Sequence, residues 1–182
     1  MDHKALLRVS AIAAIAGGLL RAADPLFAAF ALNPAALQQI WFAIDLLLLV
    51  GIGGIYLAEA NRLGIAGFIA VLIFLFGILL VRSNGVTVLG IGGYQTGAAI
   101  ALIGVSILAL LMLLRRAQIV ASLLWLAALV AGLTSRTGFG AGYLIALSGL
   151  LFGLGFAAAG VGLLRLAYKG TQSAQTAIST VT

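Results

Sequence analysis

Cysteine is missing from these 182 residues, and histidine occurs once, at His3. Without a thiol there is no disulfide, no thiolate metal site, no iron–sulfur cluster and no cysteine nucleophile. One imidazole near the N-terminus excludes a bis-histidine haem or a multi-histidine metal site within the chain. No cofactor and no metal is therefore expected. Acids are nearly as scarce, with Asp2, Asp24, Asp45 and Glu59 set against ten basic residues. Charged residues make up 8% of the chain and hydrophobic ones 64%, where a soluble domain carries about 25% and 45–50%. Such a chain cannot cover a folded surface with polar groups in water, so a soluble globular fold is excluded. Disorder is excluded as well, because disordered chains are poor in apolar residues.

What the sequence has instead is long apolar runs. A bilayer core about 30 Å thick is crossed by about 20 apolar helical residues. Six runs meet that length, roughly 4–23, 39–59, 63–82, 94–114, 117–135 and 143–165. The expected fold is an all-α integral membrane protein, a single bundle of six transmembrane helices over residues 1–169. A polar, Ser/Thr-rich tail over 170–182 is expected to be mobile in the cytoplasm. The first run has the basic start of a signal peptide, but Arg21 stands where a cleavage site requires small residues, and it reads as a retained helix.

The net charge of +6 invites a nucleic-acid reading. The cations are spread singly between apolar runs, however, and do not form the basic face that tracks phosphates. They set orientation instead. With the N-terminus inside, Lys4, Arg8, Arg62, Arg115, Arg116, Arg165 and Lys169 lie at the inner face and Arg21, Arg82 and Arg136 at the outer one. Seven inner cations against three favour N-in, C-in threading by the positive-inside rule. Localisation in a bacterial inner (plasma) membrane is expected, with no extramembrane domain.

The six runs also sort into three similar hairpins. Each odd helix ends at an outer arginine (Arg21, Arg82, Arg136), and each even helix opens near an outer aromatic (Trp41, Tyr94, Tyr143). This pattern is either the ordinary interfacial belt of aromatics and snorkelling arginines or a triplicated hairpin with a pseudo-symmetric outer face. Small residues recur at i, i+4 and i+8: Ser10, Ala14 and Gly18 in the first helix, Gly97 and Ala101 in the fourth, Gly149, Gly153 and Ala157 in the last. Such stripes let helix backbones approach closely in lipid, within the bundle or against a partner membrane protein.

Asp45 is the most informative single residue. It follows Trp41 by one helical turn, about 6 Å deeper at 1.5 Å per residue, and precedes a fully apolar stretch from Leu46 to Val50. A charged side chain facing lipid costs about 2.5–3.5 kcal/mol at the bilayer centre, so Asp45 should face the bundle and find a cation. Arg21, Arg82 and Arg136 lie at comparable depth, and one of them is the expected counter-ion. Three guanidiniums against Asp24 and Asp45 leave a positive excess, suited to a carboxylate, a phosphate or a lipid head group. Gln38, Gln39 and Gln95 add neutral hydrogen-bonding groups nearby. The candidate ligand-binding set is Asp45, Arg21, Arg82, Arg136, Gln39 and Gln95, with no catalytic residue. Glu59 and Arg62 read as a surface pair at the first inner turn. The glycines around Thr87–Gly97 lack the Lys-Ser/Thr of a phosphate loop and the spacing of a potassium filter, so that stretch reads as a β-prone outer loop.

The layout resembles a broad group of uncharacterised small six-helix bacterial inner-membrane proteins. Their second helix opens with a proline, a tryptophan and a histidine, to which Pro34, Trp41 and Asp45 correspond, with aspartate in the histidine's place. That resemblance implies the fold and no activity. Helix number, length and the smooth first helix are also similar to substrate-binding subunits of energy-coupling-factor vitamin transporters, which bind their ligand near the outer face. The leading expectation is non-enzymatic binding or passage of a small ligand, ion or lipid at the outer polar site. The alternatives are a structural or assembly subunit of a membrane complex, or a vitamin-type binding subunit. An intramembrane enzyme is disfavoured, since Asp45 and Glu59 lie about 21 Å apart along one helix at 1.5 Å per residue.

Overall fold

The computed structural model describes residues 3–29, 33–83, 87–88, 90–138 and 140–179. Within them the order is α1 (His3–Ala22), α2 (Asp24–Ala29), α3 (Pro34–Arg82), β1 (Thr87–Val88), β2 (Ile91–Gly92), α4 (Gly93–Leu114), α5 (Ile119–Thr134), a 3-10 turn (Ser135–Thr137) and α6 (Ala141–Ser179). Five of these helices are long and apolar enough to cross a membrane. Large apolar side chains such as Ile65, Leu79, Leu114 and Val120 are well exposed on the helix surfaces, as expected of a protein solvated by lipid.

The 49-residue α3 would be about 74 Å long if straight, at 1.5 Å per residue, more than twice a bilayer core. It is broken at Gly64, whose φ of +57° and ψ of −151° lie in a region that only glycine adopts readily. Asp45 and Arg82 nevertheless touch, so α3 doubles back on itself as two antiparallel arms. The expected turn at 60–62 between helices 39–59 and 63–82 thus sits slightly later, where a residue without Cβ permits the reversal. Tyr56 lies beside it, its hydroxyl donating to the Gly64 carbonyl at 3.4 Å and its ring 5.9 Å from that of Phe68. The N arm also begins earlier than expected. Pro34 occupies the first turn, where its missing N–H is harmless, and the Asn33 side chain accepts from the Ala35 amide at 2.9 Å.

The remaining connections carry local structure that periodicity does not reveal. The stretch after Ala23 forms the single-and-a-half-turn α2, while Phe30 lies outside the described residues. The β-prone loop forms one antiparallel pair, Thr87 with Gly92 and Val88 with Ile91, closed through Gly90 at φ +78°. At the opposite end, Arg116 and Gln118 take left-handed φ values of +53° and +45° between α4 and α5. The end of the last helix differs from expectation: α6 does not stop at 165 but continues as helix to Ser179. Extending an existing helix needs no new nucleus, so a polar sequence with few breakers follows it. Residues 180–182 lie outside the described residues.

Small residues hold the helices together. On α1, Ser10 and Ala14 pack against Gly54 and Gly51 of the α3 N arm, and Gly18 packs against Gly153 and Ala157 of α6. A Cβ on Gly18 would stand 2.5 Å from the Gly153 carbonyl oxygen and 2.6 Å from the Ala157 nitrogen. Gly97 and Ala101 of α4 meet Gly77 and Val81 of the α3 C arm in the same way. Apart from Gly149, the stripe residues read from the sequence are therefore used within the chain. Between α3, α5 and α6 lies an aromatic cluster, with Phe156 at 5.7 Å from Phe74 and 5.1 Å from Trp125 between ring centroids. Trp125 donates its indole N–H to the Phe152 carbonyl at 3.3 Å, and the Ser148 hydroxyl donates to the Ala128 carbonyl at 2.8 Å.

Two positions of one stripe separate packing from helix propensity. Gly153 faces the α1 backbone at Gly18 and Ala22, whereas a Cβ on Gly149 meets nothing within 4 Å. Gly153→Ala should lose about 1–3 kcal/mol through overpacking. Gly149→Ala should be neutral or gain up to about 1 kcal/mol from helix propensity. Reversible unfolding in mixed micelles measures both, and equal effects at the two sites would contradict this packing.

Candidate functional site

Asp45 lies on the α3 N arm beside Ile44 and Leu48, each 1% exposed, and is itself only 8% exposed. The C arm brings Arg82, the last residue of α3, back to the same level. Its Nε and Nη2 both reach Asp45 Oδ2 at 2.5 Å. A carboxylate there has apolar neighbours along its own helix and takes, in place of water, a charge-assisted hydrogen bond from Nε and an ion-pair contact from Nη2. The Arg82 side chain keeps 30% of its surface exposed, as a snorkelling arginine does.

A second pair stands beside it. Arg21, in the last turn of α1, donates from Nη1 to Asp24 Oδ2 at 3.0 Å, and Asp24 opens α2. A cation at a helix C-terminus and an anion at an N-terminus both suit the backbone dipoles. The other oxygen of Asp24 accepts the indole N–H of Trp41 at 2.6 Å, so this carboxylate ties the α1–α2 corner to the α3 N arm. The charges of Arg21 and Asp24 act on Asp45 as well as that of Arg82. The two pairs are one network of two cations and two anions, built from the end of α1, the start of α2 and both arms of α3.

Of the candidate residues, Asp45 and Arg82 are in direct contact, and Arg21, paired with Asp24, lies near enough for its charge to act on Asp45. Arg136, in the Ser135–Thr137 turn, is exposed and makes no ion pair among the described residues. Gln39 and Gln95 are exposed. The positive excess at this end is therefore carried by one residue: three arginines less two paired acids leave one charge, that of Arg136. Asp24 and Trp41 are the members that sequence reasoning did not place in the site. The i, i+3 spacing of Arg21 and Asp24 was the available signal, whereas the bond from Trp41 spans 17 positions and leaves no local trace. On α4, the Thr96 hydroxyl oxygen is buried without a hydrogen-bond partner among the described residues.

At the far end of the N arm, Glu59 meets Arg62 at 3.6 Å. The pair is not the surface pair expected, because the Glu59 side chain is 8% exposed and only Arg62, at 63%, faces outward. Arg8 lies over the ring of Tyr168, 5.3 Å from its centroid, a cation–π contact that joins α1 to α6. Among the described residues no three acidic or histidine side chains gather as a metal site.

Removing Arg82 alone leaves Asp45 buried and unpaired. Arg82→Ala should lower stability by about 3 kcal/mol, the lower end for a buried pair because Arg82 is part-exposed. The double variant Asp45→Ala/Arg82→Ala should lose less than the sum of its single changes, by about 1 kcal/mol or more. Additive losses in the same unfolding measurement would mean the pair contributes nothing to stability. Set against protein families, curated proteins and solved structures, the chain matches none of them.

Proposed function

We propose that this is a non-catalytic, multi-pass protein of a bacterial inner membrane that binds a small ligand, ion or lipid head group at the Asp45–Arg82 and Arg21–Asp24 network. The N-in, C-in threading with six spans counts each arm of α3 as one crossing. It is supported by the seven cations near one end of the bundle and three near the other, the asymmetry of a positive-inside protein. The observation that carries the binding reading is the pairing itself. Two ion pairs stand side by side at the helix ends, with the Arg21 and Arg82 side chains 27% and 30% exposed.

Arginine presents five donors in a planar fork, and Arg21 gives only one of them to Asp24. A ligand carboxylate or phosphate would bind by adding to, or replacing, a protein carboxylate on the same guanidinium. A ligand carrying both charges would engage the acids as well. No acid–base chemistry enters, since both acids of the network are held by arginine and Glu59 lies at the far end of the N arm.

Thermal unfolding in mild detergent, repeated across a panel of carboxylates, phosphates, zwitterions and monovalent cations, tests the reading. Compounds that occupy the network should raise the melting temperature of the wild type, and the shift should vanish in Asp45→Asn and Arg82→Ala. Shifts that persist unchanged in both variants would place binding elsewhere. Loss of stability in the variants, with no compound shifting the wild type, would reduce the network to a structural clamp.

A further inference from the structure

The polar network has an apolar neighbour. Beyond the close contact of Gly18 and Ala22 with Gly153, α1 ends and the chain turns into α2, while α6 carries on past it. This leaves an open cleft of about 450 Å³ lined by Ala22, Pro25 and Leu26 on one side and Ala146, Leu147 and Leu150 on the other. The volume falls within the roughly 300–1,000 Å³ of small-molecule sites, and every lining side chain is apolar. Ala22 directly follows Arg21, and Pro25 directly follows Asp24. The cleft therefore begins one residue away from the Arg21–Asp24 pair. An apolar trough whose lining residues are chain neighbours of a part-exposed arginine and its acid offers the two-part chemistry of a phospholipid.

We infer that the cleft between the α1–α2 corner and α6 seats one acyl chain of a bilayer phospholipid whose phosphate is held by Arg21. This rests on the binding reading above and names its ligand class. Arg21 has one hydrogen bond among the described residues, from Nη1, so the rest of its fork is open to phosphate oxygens without breaking the bond to Asp24. The balance of charge at this end favours an anionic head group. Three arginines face two acids there, and the unpaired one, Arg136, stands in the turn just before α6, the helix that forms one wall of the cleft. A lipid differs from a soluble anion in needing both halves. The chain fills space that water would occupy unfavourably, and the head group supplies the charge.

The experiment uses the full chain, purified and delipidated in detergent. Dioleoyl-phosphatidylglycerol is added back, with glycerol phosphate and dioleoyl-phosphatidylcholine in parallel arms. Retained lipid is counted by native mass spectrometry, and the melting temperature is read alongside. One phosphatidylglycerol should be retained per chain with a rise in melting temperature of several degrees, phosphatidylcholine should be retained less, and glycerol phosphate should do nothing. Ala146 is exposed, so Ala146→Trp fills the cleft from its rim and should abolish retention. Leu147→Ser, which makes the trough polar, should weaken it at least fivefold and serves where the tryptophan variant does not fold. Arg21→Gln should also weaken retention.

Equal retention by the wild type and both cleft variants overturns the inference. If that retention still falls in Arg21→Gln or Arg82→Ala, the head group binds the network without the cleft, and the binding reading stands. If it is unchanged in those variants too, both fail. A shift produced by glycerol phosphate equal to that of phosphatidylglycerol identifies a soluble-anion site and likewise overturns the lipid assignment.

Discussion

A carboxylate buried one turn inside an apolar bundle restricts the fold more than any apolar residue does. Asp45 has to meet a cation, and that cation comes from the last residue of the same helical element. The contact is possible only if α3 reverses, and the reversal falls on Gly64, where a side chain would strain the backbone. The ion pair and the glycine thus depend on each other. Without the turn Arg82 lies far from Asp45, and without the pair the two arms lose a polar contact that fixes their relative height. The apolar contacts between the arms do not have that selectivity, since one leucine replaces another after a slip of a turn with little loss.

Close packing supplies what the ion pairs do not. In lipid there is no gain from hiding apolar surface between helices, so association depends on van der Waals contact and hydrogen bonds. The first helix shows how this is divided. Ser10 and Ala14 face the glycines of the α3 N arm, while Gly18 faces α6, so α1 touches two neighbours along two sides of a small-residue surface. Its last turn then carries Arg21 into the polar network. The helix that anchors the packing also delivers one of the charges, and a shift of α1 along its axis would disturb both.

Helical segments and their apolar character were legible in the sequence because their signal is local: runs of about 20 residues and glycine stripes at i, i+4. The acid with its arginine partner was legible in kind, since an aspartate at that depth requires a cation. Which arginine answers is set by the direction in which the C arm of α3 returns, and that depends on one backbone conformation at Gly64. The role of Asp24 was only partly legible, since the sequence counts its charge against the outer arginines without saying which of them it meets. Its second bond, to Trp41, links residues that only the fold brings together. The helix beyond 169 was hidden for the opposite reason. Polar residues carry no burial signal, yet they extend a helix that packing has already nucleated.

The two ends of the bundle use their cations differently, and this bears on where a ligand site belongs. On the proposed threading the inner end holds seven basic residues, and the ion pair described there joins Arg62 to Glu59. Cations in short turns are what orientation requires, and Arg115 and Arg116 between α4 and α5, in no ion pair among the described residues, fit that role. At the other end two of three arginines are matched by acids. Acids are scarce in this chain, and half of its four are placed there. Pairing also holds each guanidinium in one direction, whereas a lone snorkelling arginine samples many. On the binding reading proposed above, a guanidinium so oriented and still partly exposed suits recognition in a way that cations spread singly along the chain do not.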